Sequence, residues 1–265
     1  MPVAATSRTL GLGRHRLNRI GLGTNRLSNT AENRSFLEAA VNAGVNFVDT
    51  AHLYAGGESE EAIGLALAPF ADDLLVATKG GYHPGGGTEG LQRELEASLE
   101  RLRTDTIDLY YLHRVDPEVP LEETMSLLKE HRDAGRIAHV GLSDVSVDQI
   151  ERARSVVPIA AVQNEYNLSE RGSNDVVDHC ASEGIIFVPF YPLQGKESPV
   201  EAEIARRYDA SPRQIRLAWL LQRSPVVLPI PGTLSLGHLE ENLAALDLEL
   251  SSEDFATLSA AGGDG

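Results

Sequence analysis

Asp49, Tyr54, Lys79 and His113 stand at or just past the C-terminal edges of apolar runs, in NFVDTAHLY (46–54), LLVATK (74–79) and TIDLYYLH (106–113). Apolar runs ordinarily give way to turn residues. Here a carboxylate, a phenol, an amine and an imidazole appear in series instead. Each has an ordinary reading alone: Asp49 as a core carboxylate, Tyr54 as a surface aromatic, Lys79 as a solvated rim lysine and His113 as a structural histidine. Together they form a coupled proton system. A free phenol titrates near pH ~10, too high to be useful at neutrality. A nearby ammonium favours its ionised form, and a carboxylate behind that ammonium keeps it charged and aimed. A histidine alongside could hydrogen-bond a substrate oxygen. Such a set suits delivery of a proton to a carbonyl oxygen, a step for which a general acid typically contributes about 10²–10⁴ in rate. No H-E-x-x-H, nucleophile elbow, Walker loop or Cys-x-x-Cys is present, so no metal site is expected and competing chemistries lack their parts.

The elements that must position these residues alternate regularly. Strand-like runs at 19–22, 45–49, 73–78, 106–112, 137–142, 159–164, 185–190 and 226–230 are separated by helical periodicity at 32–43, 59–67, 89–103, 121–134, 146–154, 173–183, 200–208, 212–222 and 235–245, with a last helix at 252–260. Alternation of this kind predicts parallel pairing, and eight such strands predict an α/β fold closed as a (β/α)8 TIM barrel. In that fold the C-terminal strand ends converge on one mouth. Gly44, Gly135 and Gly184 each follow a helix and precede a strand, where glycine takes a left-handed cap. Ser211-Pro212-Arg213-Gln214 has capping-box spacing, and Thr88, Ser146 and Ser251 are N-cap candidates. The opening segment RTLGLGRHRLNRIGLGT (8–24) predicts an N-terminal β-hairpin closing the barrel bottom. Its glycines do not form a G-x-G-x-x-G frame followed by a helix, which excludes a Rossmann fingerprint. No linker or repeat divides residues 1–265, so one barrel domain is expected.

Composition narrows the partners. With 23 basic and 39 acidic residues the net charge is −16, which disfavours nucleic acid and anionic membranes as partners. Any bound phosphate must then be held by a few placed cations and local dipoles. The single cysteine, Cys180, lies in a helical pattern and reads as a buried, inert thiol. MPVAATSRTL lacks the apolar core of a signal peptide, and no apolar stretch reaches membrane-spanning length, so a cytoplasmic location is expected.

Over nearly its whole length, and in order, the chain resembles an aldo-keto reductase. The stretches that carry the resemblance are GLGT (21–24), NFVDTAHLYAGGESEEAIG (46–64), ATKGG (77–81), DLYYLHRVDP (108–117), GRIAHVGLSDVS (135–146), VQNEYNLSER (162–171) and IPGTLSLGHLEENLAAL (230–246). The resemblance implies a reductase of aldehydes or ketones in which Tyr54 donates the proton, Lys79 and Asp49 lower its pKa, and His113 orients the carbonyl. Hydride would come from NADPH, with NADH as the alternative. Gly23, Thr24 and Asp49 would lie at the nicotinamide and its ribose, and Ser143, Asp144 and Gln163 at the carboxamide. Phe190 would stack on the nicotinamide ring, Leu193 and Gln194 would line the pyrophosphate, and Ile230, Gly232, Thr233, His238, Glu241 and Asn242 would surround the adenosine end. An open, shallow substrate pocket would be lined by Asn25, Leu53, Tyr82, His83 and Val115. The GGYHPGGG stretch (80–87) reads as a flexible loop and not a phosphate cradle.

The chain departs from the family pattern at several positions. Asp144 replaces the usual asparagine, Phe190-Tyr191 the usual tyrosine–serine pair, Gly232 a frequent lysine and His238 a frequent arginine. The last two remove the cations that ordinarily clamp a 2′-phosphate. The tetrad alone does not separate an enzyme from a cofactor-binding regulatory subunit like the potassium-channel β subunits, although the short loops and acidic charge favour the enzyme. A reductase of a sugar or secondary-metabolite intermediate is a further reading. A Schiff-base lyase using Lys79 ranks low because the expected phosphate loop is replaced by YPLQGK and IPGT. A monomer is slightly favoured.

Overall fold

The computed structural model describes residues 7–262; the leading stretch MPVAAT lies outside them. Strands β1 (Thr9–Leu12) and β2 (His15–Asn18) form an antiparallel hairpin. Seven parallel strands follow, hydrogen-bonded in sequence order: β3 (Leu22–Gly23), β4 (Phe47–Asp49), β5 (Leu75–Gly80), β6 (Ile107–Leu112), β7 (Ile137–Ser143), β8 (Ile159–Gln163) and β9 (Ile186–Phe187). Helices α1 (Ala31–Asn42), α2 (Glu58–Leu67), α3 (Gly87–Leu102), α4 (Leu121–Asp133), α5 (Val147–Arg154) and α6 (Asn174–Glu183) connect them. After β9 come α7 (Pro199–Arg207), α8 (Pro212–Arg223), α9 (Leu236–Ala244) and α10 (Ser252–Ala261).

The eighth barrel segment does not form a regular strand. Residues 226–232 close the ring through single bridges, Phe187 to Val227 on one side and Gly23 to Gly232 on the other. The Gly21 amide donates to the Pro229 carbonyl at 3.0 Å and the Leu228 amide to that of Phe187 at 2.9 Å. The predicted strand at 226–230 is therefore present as a path without a continuous ladder, and that at 185–190 shortens to two residues. The cause is in the sequence: Pro189, Pro229 and Pro231 have no N–H to donate. With this closure the fold is the expected (β/α)8 barrel.

Strand alternation divides the core in two. Phe47, Leu75, Ala77, Leu109, Tyr111, Ala161, Ile186, Val188 and Leu228 point inward and form one buried cluster with Leu12 and Leu17 of the hairpin. Their neighbours Val48, Val76, Tyr110, Leu112, Val140, Val162 and Phe187 point outward into the helix layer. The hairpin meets the N-terminal ends of the strands, where His15 Nε2 lies 3.2 Å from Asp108 Oδ1. It thus covers the bottom of the barrel, as expected.

Helix boundaries follow the caps. Gly44, Gly135 and Gly184 have φ of 104°, 77° and 68°. Complete capping boxes open α5 at Ser146 and α8 at Ser211, and Ser251 caps α10. Thr88 is not a cap: α3 begins earlier, at Gly87, preceded by Gly86 without a side-chain bond. Cys180 is fully buried on α6, and burial pushes its thiol up to about 12. Among the described residues no helix is long and apolar enough to cross a membrane.

Arg19 secures the closure. It is buried without a carboxylate partner among the described residues, and burial lowers its guanidinium to about 10. Nε donates to Val227 O at 3.0 Å, and Nη2 donates to Leu221 O at 2.8 Å and Ser224 O at 2.6 Å. Arg19→Ala strands these carbonyls and is expected to lower the free energy of unfolding by at least ~3 kcal/mol, read as a drop in the urea midpoint. A loss below ~0.5 kcal/mol would show that the seam does not depend on it.

Candidate active site

Inward parity carries chemistry to the barrel mouth. Asp49 lies two residues past Phe47, Lys79 two past Ala77, His113 two past Tyr111 and Gln163 two past Ala161. Each therefore extends an inward-facing column of the core. Lys79 is wholly buried, and its Nζ lies 2.5 Å from Asp49 Oδ1 and 2.8 Å from the Thr50 carbonyl. Gln163 Nε2 donates to the other Asp49 oxygen at 2.9 Å. The ammonium sits 5.1 Å from the centre of the Tyr54 ring. The His113 ring meets Tyr54 edge-on at 6.1 Å and Tyr82 at 4.9 Å.

Tyr54 enters on a short 3-10 turn, not on a strand. Ala55, Gly56 and Gly57 follow it with φ of 49°, 65° and 99°, a left-handed run that two glycines make accessible. A Cβ at position 57 would collide with the Arg101 guanidinium. That guanidinium donates to the His52 carbonyl and to the buried Glu60 carboxylate, both at 3.3 Å. Glu60 in turn accepts from Thr78, the neighbour of Lys79, at 2.6 Å. The Tyr54 turn and the Lys79 strand are thus braced by one network.

Burial dominates the titration of the site. It would push the Lys79 ammonium down, but Asp49 and then Tyr54 outweigh it and hold Lys79 above its ordinary value. Burial likewise raises the Tyr54 phenol; Lys79 opposes this, while Asp49 adds to it. The expected lowering of the Tyr54 pKa is therefore corrected. Lys79 acts in the expected direction, but desolvation wins, and the phenol stays protonated at neutrality. His113 is pushed down to about 3, by burial first and then by Lys79, Arg114 and His83. Its imidazole is neutral at any ordinary pH.

A cleft of about 1100 Å³ opens over this floor and runs to the first turns of α8 and α9. Tyr54, His113, Asn25, Leu53 and Tyr82 line its inner part, with Gly23, Thr24 and Asp49. Ser143, Asp144, Gln163, Phe190, Leu193 and Gln194 also line it, as do Ile230, Gly232, Thr233 and His238. Its volume is at the upper end of the range for small-molecule sites. Its polar lining suits an extended anionic ligand: Arg213 reaches into it, and among the described residues its buried Nε has no hydrogen-bond partner. The residues present fit a dinucleotide.

Residues 19–197 and 196–262 match the aldo/keto reductase family. The chain belongs to that family. An uncharacterized oxidoreductase of Schizosaccharomyces pombe is 42% identical over 230 residues, covering 82% of this chain and 75% of its own. Pyridoxine 4-dehydrogenase of Escherichia coli is 36% identical over 279 residues, covering 96% and 98%. Among solved structures, a thermostable aldo-keto reductase bound to the inhibitor epalrestat is 34% identical, with a TM-score of 0.88 and coverage of 96% and 99%. An aldo/keto reductase of Klebsiella pneumoniae, in complex with NADP and acetate, is 30% identical with a TM-score of 0.83 and coverage of 94% and 93%.

Within this aldo-keto reductase barrel, several expected site residues fall elsewhere. His83 packs edge-on against Tyr82 at 5.1 Å, outside the cleft lining, and Val115 packs against the helix-layer core. Glu241 turns to the Ser211 hydroxyl. Asn242 is fully buried outside the cleft lining, and among the described residues neither of its amide atoms has a hydrogen-bond partner. The 80–87 loop offers no phosphate cradle, because the Gly81 and Gly85 amides are taken by Glu94 and Asp116 at 2.6 and 2.8 Å. Asp144 has φ 56° and directs its carboxylate to Arg114, 3.5 Å away. Asparagine and aspartate are the side chains that tolerate this conformation best, which accounts for the exchange. Sequence reasoning missed Arg114, Glu165, Tyr191, Arg213 and Ser235 in the lining. Arg114 and Tyr191 each directly follow a site residue, a signal that was available; Arg213 carried only a helix-capping signal.

Removing one member of a fully buried ion pair leaves an uncompensated charge. Lys79→Met is therefore expected to cost about 3–5 kcal/mol of stability by chemical denaturation, and the double change Asp49→Leu with Lys79→Met to recover most of it. Equal losses in both variants would show that packing, and not charge, sets the cost.

Proposed function

We propose that this aldo-keto reductase reduces the carbonyl of an aldehyde or ketone to an alcohol with NADPH, and that Tyr54 delivers the proton. The observation that carries this reading is the buried Asp49–Lys79 pair beneath a protonated Tyr54, beside a histidine that stays neutral. The NADP-bound Klebsiella pneumoniae relative supports the cofactor. When bound, the nicotinamide supplies hydride, which no protein side chain can.

The chain's own residues do the rest. The Tyr54 hydroxyl donates to the substrate oxygen as negative charge develops there, and the Lys79 ammonium stabilises the phenolate left behind. Asp49 and the Thr50 carbonyl fix Lys79, so the ammonium needs no reorganisation during the step. His113, neutral, donates one hydrogen bond to orient the carbonyl. Ser143 and Asp144 would hold the carboxamide, the hydroxyl donating and the carboxylate accepting. Gln163 has its amide nitrogen committed to Asp49 and would offer its oxygen. The Phe190 ring would pack on the nicotinamide, and Leu193, Gln194, Thr233 and His238 would line the rest of the cofactor. Asn25, Leu53 and Tyr82 would bound the substrate, a wall suited to a small aromatic or aliphatic carbonyl. Similarity to pyridoxine 4-dehydrogenase over nearly the full length supports testing pyridoxal among the aldehydes.

Tyr54→Phe removes the acid and keeps the ring. Turnover of an activated aromatic aldehyde is expected to fall by about 10² or more, with cofactor affinity and folding unchanged. Near wild-type turnover would overturn the role of Tyr54. A wild-type protein inactive on all such carbonyls would overturn the reductase reading.

A further inference from the structure

Resting on the NADPH reading above, we infer that Arg213, in the first turn of α8, is the cation that recognises the cofactor's 2′-phosphate. The need for such a group arises in the segment from Gly232 to His238. Gly232 carries no side chain, and His238 is an exposed imidazole without a permanent charge. Arg213 lines the same cleft as Thr233, Ser235 and His238. It comes from a different element, and the fold fixes its position. The Ser211 capping box and Pro212 set the start of α8, so Arg213 is its second residue. Ser211 and Gln214 both bond to Glu241 of α9, the second through Gln214 Nε2 to the Glu241 carbonyl at 3.1 Å. The start of α8 is thereby tied to the second turn of α9.

The guanidinium is also uncommitted. Among the described residues no carboxylate lies within ion-pair distance of it, and its buried Nε has no hydrogen-bond partner. Other arginines near the cleft are in use. Arg216, one turn along, pairs with Glu201 at 2.6 Å and donates to the Leu193 carbonyl at 2.8 Å, and Arg114 pairs with Asp144. The Glu241 carboxylate of α9 is engaged by the Ser211 hydroxyl. In a chain of net charge −16, an arginine left without an acid inside a ligand cleft is matched to an anion from outside. A guanidinium binds phosphate in two parallel hydrogen bonds and is always charged, so one such residue can replace a lysine and arginine lost elsewhere. Arg26, the remaining lining arginine, is exposed on the loop after β3 and serves as the comparison.

Calorimetric titration of the intact protein with NADPH, NADH and 2′,5′-ADP tests this without turnover. Arg213→Ala is expected to weaken NADPH and 2′,5′-ADP about tenfold or more while leaving NADH unchanged, with Arg213→Lys intermediate. Among the described residues the Arg213 side chain has no hydrogen-bond or ion-pair partner, so thermal unfolding of both variants should match wild type. Equal weakening of NADPH and NADH, no weakening of either, or a selective loss in Arg26→Ala instead would overturn the assignment. Wild-type protein that binds NADH but not NADPH would overturn the NADPH reading itself.

Discussion

The rest of the site depends on a buried charge pair. Lys79 and Asp49 are removed from water at the top of the barrel, and neither tolerates that position without the other. The pair holds because strand alternation brings both side chains to the same side of adjacent strands, and because the Thr50 carbonyl and the Gln163 amide take up remaining hydrogen bonds. A preorganised ammonium is thereby fixed under the Tyr54 ring in a low-dielectric setting, where it acts more strongly than in water. The Glu60–Arg101 network braces the Tyr54 turn against the same strand, so the phenol and the ammonium share one rigid frame.

Charge is distributed unevenly along the cleft. The inner end works with a neutral histidine, a protonated phenol and one ammonium whose charge is balanced by Asp49. The outer end carries an arginine without an acid. In the proposed account, reaction and anion recognition fall to different elements, the strand ends and the Tyr54 turn for the first and the first turn of α8 for the second. Separation of this kind is characteristic of barrels, in which rigid strands carry the chemistry and the surrounding loops and helix starts carry the ligand.

Much of this was legible in the sequence, for identifiable reasons. The tetrad stood out because Asp49, Lys79 and His113 each end an apolar run at inward parity, which a single sequence displays directly. The helices were legible through periodicity and through caps such as Ser146 and Ser211. The eighth strand is less regular than its sequence suggests, because the apolar run at 226–230 says nothing of hydrogen bonding, whereas Pro229 and Pro231 interrupt the ladder. The sign of the Tyr54 shift was not legible, since it depends on how fully the phenol is buried, a property of the folded mouth. Asn242 and Val115 fall outside the lining of the cleft, because the resemblance gives the order of residues and not which of them face the opening. In the sequence Arg213 carries only a capping signal; that no acid among the described residues pairs with it is a three-dimensional fact.

The most direct test of Tyr54 as the proton donor is the pH profile of kcat/KM for aldehyde reduction between about pH 5 and 9. With the phenol held above its ordinary value and His113 at about 3, neither group changes protonation across that range, and the profile should be flat. A fall centred near the ordinary histidine value of 6.5 would mean that His113 titrates and supplies the proton, which would contradict proton donation by Tyr54.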